Sequence, residues 1–160
     1  MMAYVQDPNS ILAEPLKSQS TAELLCAYNV IYNTLLTTGF KPLFQITDNK
    51  CPISFQAFLQ FNQIDHQLTP PYDHRTNPAE KSIDTFKAYF IAGLASVNPD
   101  FPLHLWCHII PYAVLTLNLL HQSNINPNLS AYAQIHGPFN YNKTMLGPSG
   151  CRILSYESPS

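Results

Sequence analysis

The run Leu43-Phe44-Gln45-Ile46-Thr47-Asp48-Asn49, answered further on by Asn77-Pro78-Ala79-Glu80-Lys81, decides how this chain is read. Leu43 to Ile46 is a short apolar run entered through Pro42, which has the character of a buried strand, so Asp48 stands where a strand ends and active-site acids often emerge. The second run opens a helix. Asn77 is a good N-cap, Pro78 suits the first helical position, and Ala79, Ile83, Phe86 and Phe90 recur at spacings of three and four. A strand-end Asp and a first-turn Glu can converge on one divalent cation, since hard ions such as Mg²⁺ take carboxylate oxygens and keep waters that become nucleophiles. Structural roles stand beside that chemistry: Asn77-x-x-Glu80 is a variant capping box, and Asp48-Asn49 is a good turn. Taken alone, the pair of acids does not outweigh them.

Working outward, Tyr4-Val5 and Ile11-Leu12-Ala13 flank the turn-forming Asp7-Pro8-Asn9-Ser10 and predict a hairpin in which Asp7 is an ordinary turn residue. Ser20-Thr21-Ala22-Glu23 is a capping-box pattern for a helix with Leu24, Ala27, Ile31 and Leu35 on one face, closed by Gly39. Tyr28 and Tyr32 widen that stripe and are expected to pack in the core with their hydroxyls in water. Phe55, Phe58 and Leu59 predict a short helix over 52–61, His66 to Thr69 another strand, and Tyr72 to Thr76 a surface loop.

Beyond Glu80, Asp84 and Lys87 follow along roughly the same helical face, and Arg75, Lys81 and Lys87 form a small basic rim. Leu105, Ile109, Ala113 and Leu117 predict a helix over 102–120 with a kink at Pro111. His104 and His108 lack further ligands at metal-binding spacing, so packing and local hydrogen bonding are the expected roles. Ser130 caps a short helix that ends at Gly137-Pro138, and Cys151 to Tyr156 suggests a last strand.

At 160 residues, with 46% hydrophobic and 12% aromatic side chains, the chain has the material for one compact core. Eight basic against ten acidic side chains give a formal charge of -2, so any contact with nucleic acid has to be local. Cys26, Cys51, Cys107 and Cys151 are widely spaced without a C-x-x-C, which argues for reduced thiols and an intracellular setting, nuclear or cytoplasmic. The N-terminus has no signal-like pattern, and the apolar tract from Ile109 to Leu120 is interrupted by proline, so no secretion and no membrane span are expected.

Thr47-Asp48-Asn49, then His66 to Tyr72, Asn77 to Lys81 and Leu103-His104-Leu105-Trp106, resemble in their order the catalytic core of retroelement integrases. Ile83 to Lys87, Phe90 to Leu94, Thr116 to Leu120, Ile125-Asn126-Pro127 and Leu129 to Gln134 more closely resemble the integrase region of long-terminal-repeat retrotransposon polyproteins. The resemblance implies an α/β, RNase H-like fold: an incomplete mixed sheet, its first strand missing, with helices packed on it. It spans residues 1–136 as a truncated core-like domain and leaves 137–160 as an extension with a short strand.

By the same resemblance Asp48 and Glu80 are catalytic and metal-binding, for Mg²⁺ or Mn²⁺, while the family's first aspartate has no counterpart and its strand would precede Met1. Tyr72, His74, Arg75, Asn77 and Lys87 become candidate contacts to DNA, and a homodimer is implied. Asp84 departs from the family's preference for lysine there and sets a like charge beside Glu80. The alternative is a non-catalytic module, either a degenerate remnant or a protein-interaction domain using the helix from Phe101 to Leu120.

Overall fold

The computed structural model describes residues 1–48, 51–69, 78–148 and 151. Strand β1 (Met2–Val5) and strand β2 (Ser10–Ala13) form the expected antiparallel hairpin, with Tyr4 opposite Ile11. Asp7 lies in its turn, and Asn9 takes the left-handed conformation at φ 56°, which asparagine tolerates. Met1 and Glu14 exchange main-chain hydrogen bonds, 2.9 Å from the Glu14 amide and 2.5 Å from the Met1 amine. That pair sets the alternation of the ladder. Ala3 and Val5 therefore bond to β2, while Met2 and Tyr4 turn their N–H and C=O groups to the other edge.

Helix α1 (Thr21–Thr37) starts at Ser20, whose Oγ accepts from the Glu23 amide at 3.3 Å. The capping box is only half closed, because the Glu23 carboxylate accepts from the Lys17 amide instead. Gly39, at φ 86°, turns the chain away from the helix end, a conformation that costs an L-residue about 1 kcal/mol.

Strand β3 (Phe44–Thr47), helix α2 (Ile53–Phe61) and strand β4 (Asp65–Leu68) form a unit in which the strands pair in parallel, Phe44 opposite Asp65. Helix α3 (Pro78–Ala95) follows, then a 3-10 helix (Leu103–Ile109), helix α4 (Ile110–Leu120) and helix α5 (Ala131–His136). Pro111 does not kink one long helix. It stands in the first turn of α4, where its missing N–H costs nothing, and the tighter 3-10 coil occupies the residues before it. Ser130 caps α5 by accepting from the Ala133 amide at 3.0 Å, and Gly137 ends it at φ 80°. The strand expected over Cys151 to Tyr156 lies outside the described residues beyond Cys151.

Among the described residues the strands form two separate two-stranded sheets, where one incomplete mixed sheet was expected. Helix α1 spans both. Its Tyr28 and Tyr32 pack with Phe55, Leu59 and Ile64 under the parallel pair, and its Ile31 and Leu35 pack with Leu12 under the hairpin. On the other side of the hairpin Ile11 packs with Phe86 of α3 and with Ile110, Ala113 and Leu117 of α4. The stretch Leu103–Leu120 is long and apolar enough to cross a bilayer by length and composition. In this fold Ile110, Ala113 and Leu117 of its α4 part pack in the core, while 28% of the whole stretch is buried.

Candidate metal and nucleic-acid site

Asp48 follows β3 directly, and the end of that strand is held firmly. The Thr47 carbonyl accepts from the Thr69 amide at 2.8 Å and from the Thr69 hydroxyl at 3.2 Å, and the Asp48 carbonyl accepts from the Cys51 amide at 3.1 Å. The Asp48 side chain is exposed. Glu80 is half-buried in the first turn of α3, where a carboxylate is favoured by the helix dipole.

The two elements open on one groove. A cavity of about 390 Å³ is lined by Phe44, Gln45 and Ile46 of β3 and by Pro78 and Ala79 of α3, so each acid lies one or two residues beyond the lining. Carboxylate oxygens are the donors Mg²⁺ and Mn²⁺ prefer, and Asp48 and Glu80 are the residues that would hold such an ion. Among the described residues there is no cluster of three or more His, Cys, Asp or Glu side chains suited to a metal.

Lys87 is exposed on α3, and its Nζ lies 3.9 Å from an Asp84 carboxylate oxygen, so part of its positive field is spent locally on a solvent-screened pair. Tyr72, His74, Arg75 and Asn77, the other candidate DNA contacts, lie outside the described residues. His104 and His108 are exposed on the 3-10 helix, where a spacing of four does not align side chains.

Tyr28 also departs from expectation. Its hydroxyl is not left to water but donates to Gln45 Oε1 at 3.3 Å, and burial, with a smaller contribution from Tyr32, pushes its pKa up to about 12. Gln45 in turn donates from Nε2 to the Ile46 carbonyl at 2.9 Å. A buried tyrosine thus positions the Gln45 side chain on β3.

Sequence reading gave no role to Asn118. It is 4% exposed on α4, its Oδ1 accepts from the Ile11 amide at 2.9 Å, and its Nδ2 donates to the Ile11 carbonyl at 2.8 Å. The ladder leaves those two groups of Ile11 facing away from β1, so one side-chain amide stands in for a neighbouring strand. The available signal was a single amide inside the apolar run Leu115 to Leu120.

No protein-family model matches the chain, and no curated protein matches it in sequence. Its fold is similar to that of a chain in the cryo-EM structure of the simian T-cell lymphotropic virus intasome in complex with PP2A regulatory subunit B56 gamma. The TM-score is 0.58 at 16% identity, over 94% of this chain and 51% of that one. The protein thus spans about half the length of the chain it matches, and the likeness is one of fold.

Proposed function

We propose that this chain is an integrase catalytic core-like domain of a retrotransposon polyprotein, with Asp48 and Glu80 as ligands for Mg²⁺ or Mn²⁺ and without DNA-joining activity of its own. The observation that carries the reading is the shared groove: β3 leads out of it to Asp48 and α3 leads out of it to Glu80, in a fold similar to a chain of a viral intasome complex.

A pair of such ions supplies electrostatic stabilisation of the attacking and leaving oxygens in phosphoryl transfer, a task that needs ligands enough for both. Two carboxylates recruit one ion at most, and Mg²⁺ gives up its waters reluctantly, so binding by Asp48 and Glu80 is weak. Lys87, with Tyr72, His74, Arg75 and Asn77 from the preceding segment, would meet the DNA backbone. The overall charge of -2 confines that contact to this rim and makes it sensitive to salt. The reading includes an intracellular setting, consistent with four free thiols, and a homodimer of the core.

The test is anisotropy of labelled retroelement-end DNA at low salt with Mn²⁺, followed by electrophoresis for joined product. Expected are weak binding that Lys87→Glu reduces severalfold and no joined product. Absence of binding at any salt, or product that survives Asp48→Asn with Glu80→Gln, overturns the assignment.

A second reading, a protein-interaction module, is favoured by the side chains exposed along the 3-10 helix and α4. Leu103 is 67% exposed and Trp106 44%, on a surface where large apolar groups suit a partner better than water.

A further inference from the structure

A second cavity, of about 290 Å³, lies between α3 and α4 and shares no lining residue with the groove beside Asp48 and Glu80. Four hydroxyls line it, those of Tyr89, Ser96, Tyr112 and Thr116, and the partner of each fixes where its proton goes. The Tyr112 hydroxyl donates to the Gly147 carbonyl, and the Ser96 hydroxyl donates to the Gly93 carbonyl at 2.8 Å. A carbonyl can only accept. The Thr116 hydroxyl donates to the Tyr112 carbonyl at 2.9 Å, so towards Tyr89, whose hydroxyl is also 2.9 Å away, it has to be the acceptor. All four protons are thus spent within the protein, and what these oxygens keep for a ligand is lone pairs.

We infer that this cavity binds a small organic ammonium ion, whose N–H groups donate to the hydroxyl oxygens while its apolar stem lies along Phe90, Ile109 and Ala113. An ammonium has donors and no acceptor, which matches a lining whose side chains have acceptors to offer, whereas a carboxylate or phosphate finds no side-chain donor there. Two further features favour positive charge. Helix α3 ends at Ala95 with no basic side chain in its last turn, and Ala92, Gly93 and Ser96 set that negative end of the helix dipole against the cavity. The rings of Tyr89, Phe90 and Tyr112 share the lining, and aromatic rings attract organic cations. The size also fits. The volume is at the small end for ligand sites, and a Cβ placed at Gly93 would meet no atom within 4 Å, so the space in front of that residue is open. No Asp or Glu is among the described lining residues, so the attraction is modest and a dissociation constant on the order of 1 mM is expected. The site uses neither Asp48 nor Glu80 and stands or falls apart from the integrase reading.

The test titrates the full chain with benzylammonium, benzyl alcohol and benzoate, three probes of one shape and different charge. Binding is followed by the NMR shifts of the Gly93, Ser96 and Gly147 amides and by the fluorescence of Trp106, the chain's one tryptophan, whose ring centre lies 6.3 Å from that of Phe90. Expected is saturation by benzylammonium, binding of the alcohol weaker by about tenfold, and none of benzoate. Gly93→Leu fills the open space and should abolish binding while thermal unfolding stays where it is or rises, since glycine is a poor helix former. Ser96→Ala, at an exposed position, takes away one acceptor and should weaken binding by about threefold. Benzoate binding as tightly as benzylammonium overturns the inference. So do benzylammonium binding that neither variant weakens, and no saturable shift of those amides with benzylammonium at tens of millimolar.

Discussion

Replacing Asn118 by Leu tests whether one side-chain amide holds α4 to the hairpin. Leu keeps the branched shape of Asn, with methyl groups in place of the amide oxygen and nitrogen, and suits the apolar surroundings, so the substitution opens no cavity. It leaves the Ile11 amide and carbonyl, now held at 2.9 Å and 2.8 Å beside a side chain that is 0% exposed, without partners in a dry site. Each orphaned group costs about 1–3 kcal/mol, and the gain from burying Leu returns part of it, so a net loss of about 3 kcal/mol is expected. Against a total of roughly 5–15 kcal/mol that is a large fraction. With a urea m-value of about 2 kcal/mol/M the midpoint should fall by about 1.5 M at unchanged m, and exchange at the Ile11 amide should accelerate. Asn118→Asp keeps an acceptor for the Ile11 amide but sets a carboxylate against the Ile11 carbonyl. Its folded pKa is raised, so that variant should be most stable below the unfolded value of about 3.9 and lose stability as the pH rises from there. A midpoint shift under about 0.3 M for Asn118→Leu, with Ile11 exchange unchanged, refutes the bridging role.

Leu59→Ala, at a side chain 0% exposed between α1 and the parallel pair, should cost about 2–5 kcal/mol in the same urea assay. Ser20→Ala removes the cap on the Glu23 amide and should cost about 1 kcal/mol, whereas Ser20→Gly should cost only a few tenths. Tyr28 has its pKa pushed up to about 12, so the stability it contributes is complete below the unfolded value of about 10 and is lost as the pH climbs towards 12. The loss should reach ~2 kcal/mol by thermal unfolding across that window, and Tyr28→Phe should flatten the slope there.

Local signals carried much of the fold. The hairpin, the Ser20 and Ser130 caps, α2 and the start of α3 at Pro78 were all legible because each depends on a few adjacent residues. What sequence could not supply was whatever depends on distant partners. Asn118 meets Ile11 across 107 positions, and nothing near either residue announces it. The division of the described strands into two separate pairs depends on which strands meet in the fold, which periodicity within β3 does not encode. Pro111 was read as a kink because an apolar run of helical spacing hides the change from 3-10 to α coil. For the candidate site, the local settings of Asp48 and Glu80 were readable as strand end and first helical turn, while the groove lined by β3 and by the start of α3 depends on how distant elements pack.

The measurement closest to the central claim is Mn²⁺ binding followed by electron paramagnetic resonance of the free ion, on the full chain and on Asp48→Asn, Glu80→Gln and the double variant. One weak site is predicted, at a dissociation constant on the order of 1 mM, lost in either single variant because each supplies half of a two-carboxylate donor set. Binding that persists in the double variant, or no binding by the parent chain at several millimolar Mn²⁺, contradicts the assignment of Asp48 and Glu80 as metal ligands.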